Sequence, residues 1–301
     1  MQKIGFVGLG KMGSQIVRRF LRAGIPVIVF DKNTDTIAAL VGQGAEGAVS
    51  ESDLVSKLGE RPILWLMIPS SFVDETLAVY SPLLSEGATI VDGGNSDFRR
   101  TLARAINLKE KGIGFVDVGT SGGIMGMENG FSLMIGAEEN EYEMLRPLFD
   151  ALITPRGGYD RMGTVGYGHY VKMVHNGIEY AMMQALAEGF QVLREGTLRN
   201  VPLARAAQVW QKGSVINSTL NELIAEILLK NEALDGIDGY VHASGEGAWT
   251  EEVAKEYGIP TPALHEALRV RTESQSGTVN YATKLLAAMR NKFGGHIINK
   301  N

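Results

Sequence analysis

The stretch Lys3-Ile4-Gly5-Phe6-Val7-Gly8-Leu9-Gly10-Lys11-Met12-Gly13 decides how the first half of this chain is read. Lys3–Val7 is a short apolar run that reads as a buried strand. It passes directly into a G-x-G-x-x-G turn, which opens the helical pattern Met12–Ala23. In that context Gly8 permits the tight turn, Gly10 lets the backbone approach a pyrophosphate, and Gly13 lets helix and strand pack closely. Leu9, Lys11 and Met12 complete the turn, and the helix start offers backbone N–H groups to phosphate. A second strand, Val27–Phe30, ends at Asp31, 18 residues beyond Gly13. A carboxylate there accepts both ribose hydroxyls of NAD and repels a 2′-phosphate. Lys32 is adjacent and could meet a 2′-phosphate, so NAD is favoured while NADP stays open.

Further strands are expected at Ile63–Ile68, Thr89–Val91 and Phe115–Val118, with helices at Thr36–Gln43, Phe72–Tyr80 and Asp97–Lys111. Strands alternating with helices imply βαβ units and a parallel sheet. Beyond Pro155–Gly168 the pattern becomes helical, from Tyr167 to about Gly196 and then at about 203–211, 218–230, 250–257, 263–274 and 280–291. The expectation is an α/β Rossmann-type dinucleotide-binding domain over residues 1–165. An all-helical domain for substrate and oligomerisation, with a C-terminal tail, follows over 166–301. The length of 301 residues suits about two domains.

Composition narrows the function. The chain carries 29 Lys and Arg against 34 Asp and Glu, a net charge of −5, with no basic block to hold nucleic acid. It has no cysteine, which excludes disulfides and thiolate chemistry and fits a reducing cytoplasm. No apolar run approaches a membrane span, and no signal peptide is expected. The five histidines show no H-x-x-x-H or H-E-x-x-H spacing, so no metal is expected.

Three constellations carry candidate chemistry. Lys172, His175, Asn176, Glu179 and Tyr180 share one helical stripe, roughly 140° wide at about 100° per residue. A polar helix face is ordinarily the solvated one. This one mixes five chemically different groups where a solvated face is usually Glu and Lys. A lysine whose pKa burial has lowered can take a hydroxyl proton as hydride leaves carbon, then polarise the new carbonyl. Glu179, two turns on, could be a separate acid. The second constellation is Gly119-Thr120-Ser121-Gly122-Gly123, where a hydroxyl and exposed N–H groups suit a carboxylate. The third is Asp92-Gly93-Gly94-Asn95-Ser96, at the end of another strand. The alternative reading of these two loops is an ordinary glycine turn.

These motifs resemble the β-hydroxyacid dehydrogenase superfamily and, within it, the 6-phosphogluconate dehydrogenase family. The string Lys172-Met173-Val174-His175-Asn176-Gly177-Ile178-Glu179-Tyr180 closely resembles that family's catalytic helix. Gly130-Phe131-Ser132-Leu133-Met134 and the tail Arg290-Asn291-Lys292-Phe293-Gly294-Gly295-His296 agree with it. The resemblance implies NAD(P)-dependent oxidative decarboxylation of 6-phosphogluconate to ribulose 5-phosphate and CO2, without a metal. It implies Lys172 as general base and then acid, and Glu179 as the acid that protonates the product. It implies Ser121, Gly122 and Gly123 on the substrate carboxylate, and Asn95, His175 and Asn176 on hydroxyls. Tyr180, Arg271 and Arg290 would hold the phosphate, and His296 a neighbouring group. Asn95 would also border the cofactor. The family's tail reaches a neighbouring subunit's site, which implies a homo-oligomer, a dimer or dimer of dimers. Two features depart from the family. The chain lacks the duplicated helical bundle of the long form, and His242–Thr250 lacks the basic residue usual before Trp249. The alternatives are a β-hydroxyacid dehydrogenase that does not decarboxylate and a non-catalytic nucleotide sensor.

Overall fold

The computed structural model describes residues 2–242 and 245–295. The chain divides into two compact units, Met1–Met173 and Val174–Asn301. The first runs β1 (Ile4–Val7), α1 (Lys11–Arg22), β2 (Val27–Phe30), α2 (Thr34–Val41), β3 (Glu46–Gly47), α3 (Glu51–Ser56), β4 (Ile63–Leu66), α4 (Val73–Tyr80), β5 (Thr89–Asp92), α5 (Phe98–Lys109) and β6 (Gly114–Ser121). It continues through α6 (Gly126–Asn129), β7 (Ser132–Gly136), α7 (Glu139–Ile153) and β8 (Gly158–Gly163) into the start of α8 (Tyr167–Glu195).

The eight strands form one sheet in the order β3-β2-β1-β4-β5-β6-β7-β8. The first six are parallel; β7 pairs antiparallel to β6, and β8 parallel to β7. The order reverses direction between β1 and β4, the crevice where open α/β sheets bind ligands. The two-residue period of the strands divides their side chains between two cores. Ile4, Phe6, Val29, Trp65 and Val116 face one, with α1 and α7 over it; Val7, Ile28, Leu64, Leu66 and Ile90 face the other. Helix starts follow local chemistry, because side-chain oxygens of Asn33, Ser50 and Asp97 accept the first free N–H groups of α2, α3 and α5.

The second unit holds the remainder of α8, then α9 (Leu203–Trp210), α10 (Thr219–Lys230), α11 (Glu246–Glu256), α12 (Pro262–Gln275) and α13 (Tyr281–Gly294). Met183, Phe190, Ile224, Leu228, Leu285 and Met289 are among its core residues. Asn280 and Thr283 form a reciprocal capping box at α13, and Pro262 opens α12. No strand occurs here among the described residues. No helix of the described residues is long and apolar enough to cross a membrane.

The fold class is the one expected, an α/β Rossmann-type unit followed by helices. The region between β6 and α8 goes beyond the expectation, with two strands and a 15-residue helix. β8 reads Gly-Tyr-Asp-Arg-Met-Gly and is half exposed, so it has neither an apolar run nor clean alternation. It is a strand because β7 offers it an edge, which only the folded sheet supplies.

Candidate active site

Gly8 follows β1 with φ +95°, and a Cβ on it would overlap the Met67 carbonyl after β4. A Cβ on Gly13 would overlap the Gly8 carbonyl, so turn and helix can approach only as glycines. Gly10 faces open space. No side chain caps α1 and its first turn holds no acidic residue, which leaves a helix start suited to pyrophosphate. Asp31 turns its carboxylate onto this loop: Oδ2 accepts the Leu9 N–H at 2.6 Å and Oδ1 the Asn33 N–H at 2.8 Å. Its remaining lone pairs suit ribose hydroxyls. Lys32 lies over the Phe72 ring, 5.9 Å from its centre. Lys11 is exposed and Met12 half-buried. These features fit a dinucleotide.

Two loops along the same sheet carry the other constellations. Asp92, fully buried, accepts the Gly94 N–H at 3.1 Å and the Ser96 hydroxyl at 2.7 Å. That tight turn displays Asn95, whose Oδ1 is buried with no hydrogen-bond partner among the described residues. Thr120 ties the loop to β6 by donating to the Gly93 carbonyl at 3.0 Å. At the end of β6, Ser121 is half-buried, and Gly122 and Gly123 follow with φ +130° and +54°.

Two residues that sequence reading passed over hold this second loop. Gln15 of α1 accepts the Met127 N–H at 2.9 Å, and Arg19, one turn on, donates to the carbonyls of Gly126, Met127, Ala151 and Thr154. The available signal was a glutamine and an arginine spaced i, i+4 on the face of a helix that otherwise buries Ile16, Val17 and Phe20.

The stripe on α8 is inverted relative to an ordinary surface helix. Lys172 is 4% exposed, Asn176 7% and Tyr180 1%, while Ile178 is 57% exposed. Glu179 and His175 are half-buried, and His175 Nδ1 lies 3.0 Å from Asn176 Oδ1 and 3.9 Å from Glu179 Oε2. The solvated-face reading fails, because the polar groups are the buried ones.

In the second unit, Arg271 of α12 stacks its guanidinium 3.8 Å from the centre of the Tyr180 ring. Arg290 of α13 lies 5.6 Å from the same ring. Gly247 lets α11 press against Tyr180 from a further side. Both arginines are almost fully buried, and Nε and Nη1 of Arg271 have no hydrogen-bond partner among the described residues. Burial, with the charge of Arg290 second, pulls the Arg271 guanidinium down to about 10. The helix expected at about 280–291 contains Arg290 and runs further than expected. Arg290 sits inside α13, which continues to Gly294 and stops at Gly295 in the left-handed conformation, because Phe293 still packs on the helical core. His296 lies outside the described residues.

A phosphate-ready glycine turn and a buried lysine at the end of the same sheet define a class, the dinucleotide-dependent oxidoreductases. The comparisons then narrow the class. Residues 3–158 match the NAD binding domain of 6-phosphogluconate dehydrogenase, and residues 168–283 match the 6-phosphogluconate dehydrogenase C-terminal domain. The chain belongs to the 6-phosphogluconate dehydrogenase family. It is 41% identical over 296 residues to an NAD(+)-dependent, decarboxylating 6-phosphogluconate dehydrogenase of Haloferax volcanii, covering 98% of this chain and 97% of that one. The solved 6-phosphogluconate dehydrogenase of Plasmodium falciparum superposes with a TM-score of 0.82 at 28% identity, covering 91% of this chain and 62% of that longer one. A 3-hydroxyisobutyrate dehydrogenase from Salmonella typhimurium shares the fold, with a TM-score of 0.78 at 20% identity, and covers 95% of this chain and 99% of that one.

A buried, unmatched guanidinium should respond to an anion. Inorganic phosphate is expected to raise the thermal midpoint of the protein; at 100 times its Kd the gain is about 2.7 kcal/mol. Arg271→Met should abolish the rise while leaving the phosphate-free midpoint little changed, since the lost Tyr180 stacking and the removed cost of a buried charge oppose each other. Differential scanning calorimetry across a phosphate series checks both.

Proposed function

We propose that this chain oxidises and decarboxylates 6-phosphogluconate, giving ribulose 5-phosphate and CO2, with NAD preferred. The inward polar stripe of α8 carries the reading. Lys172 and Asn176 are buried on one helix with half-buried Glu179, and ionisable and polar groups gathered in this way are characteristic of functional sites. The 41% identity to an NAD(+)-dependent decarboxylating relative over nearly the whole chain supports the substrate and the cofactor.

Bound nicotinamide supplies a hydride acceptor. Lys172 takes the proton of the C3 hydroxyl as the hydride leaves C3, which converts alcohol to ketone. Lys172, now an ammonium, gives its proton to the ketone oxygen as the C1–C2 bond breaks and the bonding electron pair moves toward that oxygen, which releases CO2 and leaves an enediol. Glu179 delivers a proton to the carbon that was C2 of the substrate and becomes C1 of ribulose 5-phosphate, while Lys172 takes back the enediol hydroxyl proton and the carbonyl re-forms. Ser121, Gly122 and Gly123 hold the carboxylate that departs, and Asn95, His175 and Asn176 orient the hydroxyls. Tyr180, Arg271 and Arg290 hold the phosphate at the far end. Arg271 supports that role with two N–H-bearing nitrogens that nothing described satisfies.

The chain also reads as a homo-oligomer. Ile178, Met182, Ala185, Gly189 and Val192 are all exposed on α8 at spacings of 4, 3, 4 and 3 residues. That spacing forms a straight apolar seam of the kind a second helix covers.

Incubating 6-phosphogluconate with NAD and NADP in parallel, and trapping CO2, tests the reaction. Reduced cofactor without trapped CO2 would mean a dehydrogenase that does not decarboxylate. Lys172→Met should cut turnover by more than the 10²–10⁴-fold typical of one acid–base step, since two steps use it, while NAD binding is kept. Turnover within tenfold of the parent removes Lys172 from the chemistry.

Asp31→Ser should relax or reverse the preference for NAD, because the carboxylate that repels a 2′-phosphate is gone. The ratio of kcat/KM values for the two cofactors is the readout, and a parent that prefers NADP would show that Lys32 dominates. For the seam, light scattering should give at least a dimer mass, and Val192→Lys should shift it toward the monomer. A monomeric parent overturns the oligomer.

A further inference from the structure

Asp117 has no part in the chemistry above. It is a carboxylate in the apolar strand Phe115-Val116-Asp117-Val118, and it is fully buried. Its Oδ1 accepts the Gly166 N–H at 2.6 Å and its Oδ2 the His169 N–H at 2.7 Å. Those two groups flank the first turn of α8, which begins at Tyr167. The His169 N–H is one an N-cap side chain ordinarily satisfies, and the Gly166 N–H one that the N3 side chain of a capping box does. Here the cap comes from a strand about 50 residues earlier in the chain. Burial pushes the Asp117 carboxyl up, and neighbouring His169 and the two N–H bonds pull it back.

The contact continues along the strand. Residues 117, 119 and 121 share one face of β6, and residues 169 and 172 are one turn apart on α8. A Cβ on Gly119 would overlap the Lys172 Cβ and lie 2.8 Å from the Gly168 carbonyl. A Cβ on Gly168 would in turn lie 2.6 Å from the Asp117 carbonyl. Helix backbone therefore rests directly on strand backbone. Two rungs join them, Asp117 to His169 and Gly119 to Lys172. Two contacts from α5 steady the same helix turn: Thr101 Oγ1 lies 2.8 Å from His169 Nδ1, and Phe98 meets Tyr170 edge-on at 5.0 Å.

We propose that Asp117 is a positioning residue for Lys172: its carboxylate, with the bare face of Gly119, sets the register of α8 on β6 and so fixes Lys172 at the end of the strand that leads into Ser121. A one-residue slip of the helix moves a side chain by about 1.5 Å along the axis and about 100° around it. Displacements of about 1 Å can cost about 10²-fold in rate. The inference rests on Lys172 being the base.

Asp117→Asn keeps the volume and one acceptor but turns an NH2 toward the other backbone N–H. Turnover of 6-phosphogluconate is expected to fall about 10²-fold. The NAD Kd, read by direct titration, should stay within about threefold, and the deuterium isotope effect on kcat with substrate labelled at C3 should rise as chemistry becomes limiting. Gly119→Ala leaves the cap intact and lifts the Lys172 stem from below, so it should give the same signature. A folded Asp117→Asn with turnover within threefold of the parent overturns the proposal, as does a loss found wholly in the NAD Kd. If Asp117→Asn does not fold, Gly119→Ala decides alone by the same criteria. Lys172→Met with near-parent turnover would defeat the base assignment itself; an inactive Lys172→Met beside active Asp117→Asn and Gly119→Ala would defeat only the register.

Discussion

Burying an amine on a helix is the demand around which the first unit is organised. Lys172 is 4% exposed, and a buried cationic group is tolerated only where surrounding structure holds it and compensates it. The helix that carries it is fastened at its start by the buried Asp117 carboxylate and pressed onto β6 at Gly119. The first grips backbone N–H groups of the helix, and the second sets strand backbone against helix backbone and the Lys172 stem. They leave little freedom for the turn between them, which is the turn that presents the lysine.

At the other side of the sheet, backbone also does most of the holding. The glycine turn brings Gly8 against the Met67 carbonyl and Gly13 against the Gly8 carbonyl, so the start of α1 lies open above the sheet with no side chain in the way. Asp31 is not an isolated acid at a strand end. Two backbone N–H groups orient it, one of them from the glycine turn, so turn and carboxylate form one rigid feature. Gln15 and Arg19, further along α1, hold the loop that follows Ser121-Gly122-Gly123. One helix thus supports both the nucleotide turn and the neighbouring loop.

The second unit solves a different problem. Arg271 and Arg290 are buried around one tyrosine ring, and Arg271 has guanidinium nitrogens that no described residue satisfies. Buried donors without partners cost stability, so this cost is concentrated around one ring.

Much of this was legible in the chain alone. The strand, glycine turn and acid at Lys3–Asp31 specify their element types locally, because left-handed backbone and close approach admit few residues besides glycine. The Lys172–Tyr180 stripe was visible from helical spacing, but spacing could not say which side faced inward. Only packing decided that the polar side is buried and the apolar side, with Ile178, is exposed. β8 escaped for a related reason: its residues carry no strand pattern, and its conformation is borrowed from β7. Arg290 fell within the helix expected at about 280–291, but the end of α13 at Gly294 depends on Phe293 finding the helical core. Asp117 lies unremarked inside the expected strand Phe115–Val118, and its role needed the fold, since its partners lie about 50 residues away. Local sequence determines elements wherever backbone sterics and periodicity suffice; burial and long-range hydrogen bonds exist only once those elements have met.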